Sequence, residues 1–445
     1  MGKRKAACKR KREQGQTILL VAIGLISLLA MAALAIDVVT LYAARSETQR
    51  AADATALAAA KAIADSGFTT LPPSDPNIVN GNAQTLAQNM ATSAINAMLT
   101  APGPINQVAG IQPALVGTPT LFFPATAVPA NSNPHITVTL QVTTLPTFFA
   151  RIWGNRTATV TASATAEAYN PANVQNFTPI APRGVKPWLV ANFDPTNNPP
   201  TTPFIATGTG AIESGVIGKT FNLTADCTQH PHNSCTLSEP PQAHNLTDQV
   251  DYVPALVTSN SNDVCPSPSS CTENPNYPDY QDSIQCHDVN PYPCGGSPTN
   301  NFSWDPTVNP RGKHGPSAYG AECLIHAASG QDLLQNLGTW PAAPFQFNAQ
   351  SGPQNGNVVT TSSSVVTIPI IDPTSFNATP NGVTIVGFMQ AFINQVQDGS
   401  IPNTTVGDIN ITVLNMAGCS STPNTAPPVV GSGTSPIPVR LIAPP

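Results

Sequence analysis

Residues 17–36 are uncharged and almost wholly apolar. At about 1.5 Å rise per residue, a helix of that length spans about 30 Å, the thickness of a bilayer's hydrocarbon core. The pattern then changes without a break. Residues 37–65 hold no Pro or Gly and are dominated by alanine, the strongest helix former. Small or apolar residues recur three and four apart at Leu41, Ala44, Thr48, Ala51, Thr55, Ala58 and Ala62, which draws one narrow helical face. Arg45, Gln49 and Asp53, then Lys61 with Asp65, take the other side at i,i+4 spacing. Ser66-Gly67 reads as a helix stop. One helix of about 75 Å is therefore predicted, half in lipid and half projecting as a neck.

The rest of the chain changes period. Residues 67–83 are rich in Pro, Asn and Gly and read as a loop, while residues 84–100 place Leu86, Met90, Ala94, Ile95 and Met98 at helical spacing. ITVTLQVT alternates Ile136, Val138, Leu140 and Val142 with polar residues, and TATVTASATAEAY does so more weakly. LPTFFARIWGNR connects them, and Phe148, Phe149 and Trp153 read as core of a hairpin packed on helices. That makes a small α+β unit over 67–169, followed by a linker over 170–183. A Cys-rich, mainly β domain follows over 184–420, with strands at PWLVANF, SSVVTIPII and INITVLNMAGC. VTIVGFMQAFINQV reads as either strand or helix. A flexible Pro-rich tail is expected over 421–445. The expected fold class is a membrane-anchored α+β chain. It begins with a single long N-terminal transmembrane helix and neck, continues through the small α+β unit, and ends in a β-rich, disulfide-stapled domain.

Charge gives this arrangement a direction. Residues 1–16 carry seven cations (Lys3, Arg4, Lys5, Lys9, Arg10, Lys11, Arg12) and one anion, Glu13, while the remainder carries 11 cations and 23 anions. A basic cluster beside an apolar span marks the cytoplasmic side. It predicts a single-pass membrane protein with a cytoplasmic N-terminus and exported domains. The basic residues do not continue into a folded domain, so no nucleic-acid partner is expected. Charged residues are only 9% of the chain, far from the roughly 25% of an ordinary cytosolic protein. A second reading treats the N-terminus as a cleaved export signal, because Ala33-Leu34-Ala35 fits a small-x-small site. The chain would then be a secreted or surface adhesin. Against that, the helical pattern continues through Ala35 and the apolar run exceeds the usual signal length.

Cys8 lies alone in the basic tail. The other eight, Cys227, Cys235, Cys265, Cys271, Cys286, Cys294, Cys323 and Cys419, all follow the span, as disulfides in an oxidising compartment would. Pairing neighbours in sequence gives Cys227–Cys235, Cys265–Cys271, Cys286–Cys294 and Cys323–Cys419. That choice rests on local loop closure alone, among on the order of a hundred connectivities. Cys227, His230, His232 and Cys235, with His244 nearby, suggest zinc, but Pro231 prevents a helical ligand face. No metal or cofactor is expected. GPSAYG around Ser317 has the wrong spacing for a nucleophile elbow, and Asp279, Asp282 and Asp288 read as solvated loop acids. The chain is not expected to be an enzyme.

Gly15-Gln16 before the span, Ile36-Asp37-Val38 at its exit, Leu41-Tyr42, Gln49, Ala51-Ala52-Asp53-Ala54 and Ala56-Leu57-Ala58 together resemble the TadG-type N-terminal segment. That segment belongs to the Tad (tight adherence, Flp pilus assembly) system. The family pattern is approximately GQ, an apolar span, D-x-x-x-L-Y, then Q-x-A-A-D-A-A-A-L-A. Thr55 stands where alanine is usual. The resemblance is specific over 14–66 and thins beyond. It implies a structural, membrane-anchored component of pilus biogenesis or a related secretion machine. The implied partners are the lipid bilayer and other Tad/Flp pilus-assembly proteins or pilin-like subunits, in a lateral homo- or hetero-oligomer. Gln16, Asp37, Tyr42, Gln49, Ala52 and Asp53 are then the candidate assembly contacts, and the small-residue face becomes a packing spine. Some relatives are processed after a glycine. Gly15 is suitably placed, but Leu20 occupies the fifth position after it, where pilins carry glutamate. Some relatives carry a von Willebrand A domain, whose metal motif the string from Asp194 to Asn198 does not fit.

Overall fold

The computed structural model describes residues 10–70, 76–100, 113–122, 133–147, 149–154, 156–170, 180–195, 202–206, 210–213, 215–225, 248–257, 271, 275–286, 292, 294, 303–305, 307–336, 345–359, 361–375, 382–398, 406–419 and 435–442. Helix α1 (Arg10–Asp65) runs unbroken from the apolar segment through the neck. It stops where Gly67 turns left-handed at φ 82°, a conformation glycine adopts without a side-chain clash. Two more helices follow, the single-turn α2 (Pro76–Val79) and α3 (Asn82–Thr100). The face that α3 buries is Ala83, Ala87 and Ala91, at i,i+4 spacing. Leu86 is half-buried. The side chains of Met90, Ala94, Ile95 and Met98 lie outside the described residues.

Strands β1 (Ala114–Leu115), β2 (Thr120–Phe122), β3 (His135–Pro146) and β4 (Thr157–Ala168) form an antiparallel sheet. Its centre is the β3–β4 hairpin, in register from His135↔Glu167 to Pro146↔Thr157. Alternation works as expected, with Ile136, Val138 and Leu140 fully buried on the inner face. The neck of α1 lies across that face, with α3 packed beside it.

The second unit is a closed six-stranded barrel. Its strands are β5 (Trp188–Ala191), β6 (Thr220–Ala225), β7 (Gln249–Pro254), β11 (Val365–Ile371), β12 (Ile385–Val396) and β13 (Ile409–Gly418). They close in the order β11-β12-β13-β6-β7-β5, with β11–β5 and β6–β7 parallel. Every residue of β11 is buried, as expected of a strand covered on both faces. The ambiguous VTIVGFMQAFINQV is strand β12. Helices α4 (Pro278–Gln285) and α5 (Pro316–Leu324) pack together outside the barrel. Strands β8 (Leu333–Asn336), β9 (Phe345–Asn348) and β10 (Val358–Val359) make a small antiparallel sheet.

Two expectations need correction, while the described ends of the linker region over 170–183 include buried Asn170, Ile180 and Ala181. Residues 171–179 lie outside the described part. The expected flexible tail ends in β14 (Val439–Ile442), which pairs antiparallel with β4 from Val439↔Ala168 to Ile442↔Thr165. Arg440 holds it there, pairing with Glu167 at 2.9 Å and lying over the Tyr169 ring. The disulfides are Cys271–Cys323 and Cys294–Cys419, with Cα separations of 5.6 and 5.5 Å. Cys265–Cys271, Cys286–Cys294 and Cys323–Cys419 are therefore excluded, although Cys286 is also disulfide-bonded. Cys227 and Cys235 lie outside the described residues. Loop-closure entropy grows only slowly with length, so local pairing was a weak guide. The fold instead joins the end of α5 to the segment before α4, and the end of β13 to Cys294. One hydrophobic core runs from Ala51 in the neck to Ile437 beside β14.

Candidate functional site

The N-terminal half of α1 presents apolar side chains on all sides. Ile18, Leu20, Ile26 and Leu28 are each about two-thirds exposed or more. By length and composition, Gln16–Asp65 contains a stretch apolar enough to cross a membrane, with mean hydropathy 2.8 in its best window. Its hydroxyls turn inward on the backbone. Ser27 donates to the Gly24 carbonyl and Thr40 to that of Ile36, which suits a helix in hydrocarbon. Gln16 and Tyr42 are exposed, Tyr42 at 75%.

From Asp37 onward the helix is docked at two points. At the lower one, the buried Asp37 carboxylate accepts the backbone N–H groups of Phe149 and Ala150 at 3.0 and 2.7 Å. These open the 3₁₀ turn Ala150–Trp153 at the β3–β4 tip, so the acid caps a turn that is distant in sequence. Beside it, Ala44 packs with Val142, Leu145 and Val160, and Leu41 flanks them. A bulge between Val142 and Leu145, with Thr144 at φ 63°, bends the strand there. Phe149 is half-buried, while Phe148 and the side chain of Trp153 lie outside the described residues. One turn pair higher, Gln49 donates to Asp53 at 2.8 Å and to the Ser163 carbonyl of β4 at 3.1 Å. Ala52 is fully buried.

The upper point joins the C-terminus of α1 to barrel strands β12 and β13. Asp65 pairs with Lys61 and accepts a hydrogen bond from Gln390 at 2.9 Å. Asn415 donates to the Ala64 carbonyl, and exchanges hydrogen bonds with the Thr69 hydroxyl at 3.1 and 3.2 Å. Asn170 donates to the carbonyls of Thr69 and Met416, both at 3.3 Å. A Cβ on Gly67 would stand 2.5 Å from the Leu414 carbonyl oxygen. Sequence reading named none of Asp65, Thr69, Asn170, Gln390 and Asn415 as site residues. The signal was present as single amides in otherwise apolar strands, FMQAF and VLNMAG.

Of the six candidate contacts, Asp37, Gln49, Ala52 and Asp53 are engaged within the chain, and only Gln16 and Tyr42 present free surface for a partner. The small-residue face is occupied too. Ala44, Thr48, Ala51 and Thr55 are buried against the chain's own sheet and α3, while Ala58 and Ala62 are half-buried.

The remaining chemistry is structural in character. Ser317 is fully buried in α5 and shares a 3.1 Å hydrogen bond with Tyr280. Burial pushes the Tyr280 and Tyr252 hydroxyls far above their usual pKa, which keeps both protonated. Asp194 is buried in an ion pair with Lys219 at 2.9 Å. Asp279 is exposed, and Asp282 accepts from Gln285 at 2.6 Å. Asp288 and the Cys227, His230, His232, Cys235 and His244 cluster lie outside the described residues. Among the described residues no group of three or more His, Cys, Asp or Glu side chains is placed to hold a metal.

Residues 15–62 match the family model described as putative Flp pilus-assembly TadE/G-like. No curated protein and no solved structure matches the chain. The matched segment is α1 itself, from the start of the exposed apolar half to the last turns before the barrel. It is the part of the molecule that supports a pilus-associated role.

Proposed function

We propose that this chain, whose residues 15–62 are a Tad-type pilus-assembly segment, is a structural component of a Tad/Flp-type pilus or related secretion assembly and not an enzyme. The observation that carries this reading is the coincidence of the family match with a helix that is apolar and bare at one end and docked at the other. The bare half would be a single-pass inner-membrane anchor. The cations of residues 1–16 would keep that end in the cytoplasm. The barrel, with its disulfides, would then stand on the exported side. Lateral contacts to pilin-like subunits or other assembly proteins would use the exposed side of the helix, with Gln16 and Tyr42 as its best-placed polar residues. Asp37, Gln49, Ala52 and Asp53 would act indirectly by fixing the neck that presents that side.

The test is the N-terminus and intact mass of the mature protein extracted from membranes. Retention of residues 1–16 in a carbonate-resistant fraction is the expected result. A chain starting at Gln16 would indicate cleavage after Gly15 and a pilin-like fate. A soluble chain starting at Ile36 would overturn the anchor and favour the secreted adhesin.

A further inference from the structure

We propose that the open edge of β4, in the angle it makes with α1, is a strand-accepting site where an extended segment of a partner protein adds antiparallel to residues 157–163, in line with β14. The partner segment carries small or hydroxyl side chains on one face and a carboxylate at the centre of the other. The proposal rests on the assembly reading above for the existence of a partner, and adds the surface that holds it.

The edge itself is the first argument. β14 pairs with β4 only from Thr165 to Ala168. Residues 157–163 have β3 on one side and, among the described residues, no strand on the other. Ala168 donates its N–H to Pro134, beside β3, and Tyr169 donates to Pro438, beside β14. Backbone direction alternates along an antiparallel strand, so Thr157, Thr159, Thr161 and Ser163 turn their N–H and C=O groups to the open edge. All four are exposed. The Ser163 carbonyl accepts the Gln49 amide at 3.1 Å, a side chain standing where a strand N–H would. Open edges are ordinarily blunted by Lys, Pro or a bulge, yet TATVTAS over residues 157–163 contains no charge, Pro or Gly.

The helix supplies the wall of the angle. Val38, Tyr42, Arg45 and Gln49 recur at i, i+4, i+7 and i+11, one row of the helix surface, and the Gln49 bond to Ser163 turns that row toward the edge. Val38, Tyr42 and Arg45 are exposed. Ala52 and Ala56 continue the row and are fully buried, at the level where β14 packs on both α1 and β4. A strand of this chain fills the upper half of the angle, and the lower half has the same floor and wall without one. Ala44 packs with Val160, which sets Arg45 at the height of that residue. A partner residue opposite Val160 shares its face of the sheet, toward α1. A carboxylate there meets the Arg45 guanidinium.

Direction decides against a second copy as the occupant. TATVTAS reads nearly alike both ways about Val160, so two β4 edges match in antiparallel register. However, α1 and β4 run the same way, with Asp37 at the turn before β4 and Gln49 beside Ser163 further along it. Two copies paired antiparallel point their apolar half-helices in opposite directions, which one bilayer cannot hold. A segment of a different protein is under no such constraint, and adding a strand to an exposed edge is an established mode of peptide recognition.

The test uses the full chain in detergent micelles and a fluorescein-labelled peptide, TATETAS, the sequence of residues 157–163 with Val160→Glu. Saturable binding is expected by anisotropy. Thr161→Pro should weaken it about tenfold, because it removes one edge N–H and leaves the β3 ladder intact. Arg45→Glu, at an exposed position, should weaken it roughly fivefold, and a peptide with lysine at its centre should restore binding to that variant. If Thr161→Pro lowers the melting temperature, Arg45→Glu and its rescue carry the test. Amide exchange across residues 157–163 should show a fast half in the free chain, the odd-numbered positions, that slows with peptide. Absence of binding at millimolar peptide, or binding unchanged in both variants, overturns the site. Slow exchange of the whole segment in the free chain overturns it too, assigning the edge to the chain itself, or to a second copy where the slowing follows protein concentration. Carbonate extraction is read separately, and release of the protein removes the anchor reading without altering the peptide result.

Discussion

Replacing Asn415 with alanine should loosen the joint between the helix and the barrel. Asn415 is fully buried, and its amide satisfies the Ala64 carbonyl and the Thr69 hydroxyl at once. Ala64 lies in the last turn of α1, where carbonyls have no intrahelical partner. Truncation leaves the Ala64 carbonyl in a dry core and removes one of the Thr69 partners, at about 1–3 kcal/mol for an unsatisfied buried group. The expected loss is about 1–3 kcal/mol. Guanidinium unfolding of the full chain in detergent, followed by intrinsic tryptophan emission to which buried Trp188 and Trp304 contribute, reads it as a lower midpoint at unchanged slope. Local opening has its own readout. Lys61 is held by Asp65 one turn before the joint, so trypsin should cut after it faster in the variant. Asn394→Ala is the control, since Asn394 makes similar amide bonds to Asn410 and Thr412 at a half-exposed position. A loss below about 0.5 kcal/mol for Asn415→Ala, within the usual surface range, together with unchanged cleavage at Lys61, would refute the argument.

Gly67→Ala forces a side chain into φ 82° and places its Cβ 2.5 Å from the Leu414 oxygen and 2.7 Å from an Ile217 methyl. The expected loss is about 2–4 kcal/mol, read as a lower melting temperature. Removing the Cys294–Cys419 bridge, which closes a sequence separation of 125, should lower stability by about 5 kcal/mol on the chain-entropy account. Chemical denaturation of Cys294→Ser/Cys419→Ser measures it, and an unchanged midpoint would show that the bridge constrains nothing. Tyr42→Ser should leave the melting temperature where it is, because the ring is 75% exposed, while reducing pilus assembly in cells. Ala52→Leu should lower the melting temperature itself through overpacking of about 1–3 kcal/mol. Normal piliation with Tyr42→Ser would remove Tyr42 from the list of partner contacts.

The long helix and the hairpin were legible because each leaves one face different from the other. The neck has no breaker for nearly thirty residues, and β3 alternates from His135 to Val142 because only one side meets the core. The barrel was hard to read for the opposite reason. In β11 and β12 both faces are buried, so period-two alternation vanishes and an apolar run reads equally as helix. Its closure depends on pairs such as Ile370↔Val190 and Asn222↔Gln249, which no local pattern announces. The tail was misread because its prolines outnumber the four residues of β14, and the pairing partner, β4, lies far back in the chain. For the site, sequence reading found the correct helix, and the structure places the chain's own sheet against its small residues.

That placement changes what the neck does. A stripe of alanines permits close approach by whatever lies opposite, and here the chain supplies its own sheet. The seam is therefore filled before any partner arrives. A helix held at one point can swing and rotate, whereas this one is fixed at Asp37 and again at Ala64–Asp65, about 40 Å apart along its axis. Rotation about the axis is fixed as well, because the two docking points engage different strands in different units. The exposed side bearing Val38, Val39, Tyr42, Arg45 and Arg50 thus has one orientation relative to the barrel. Any partner that binds this side of the neck necessarily positions the barrel. The same rigidity means that displacement of the N-terminal half of α1 is carried to the barrel, and Asn415 lies in the joint through which it passes.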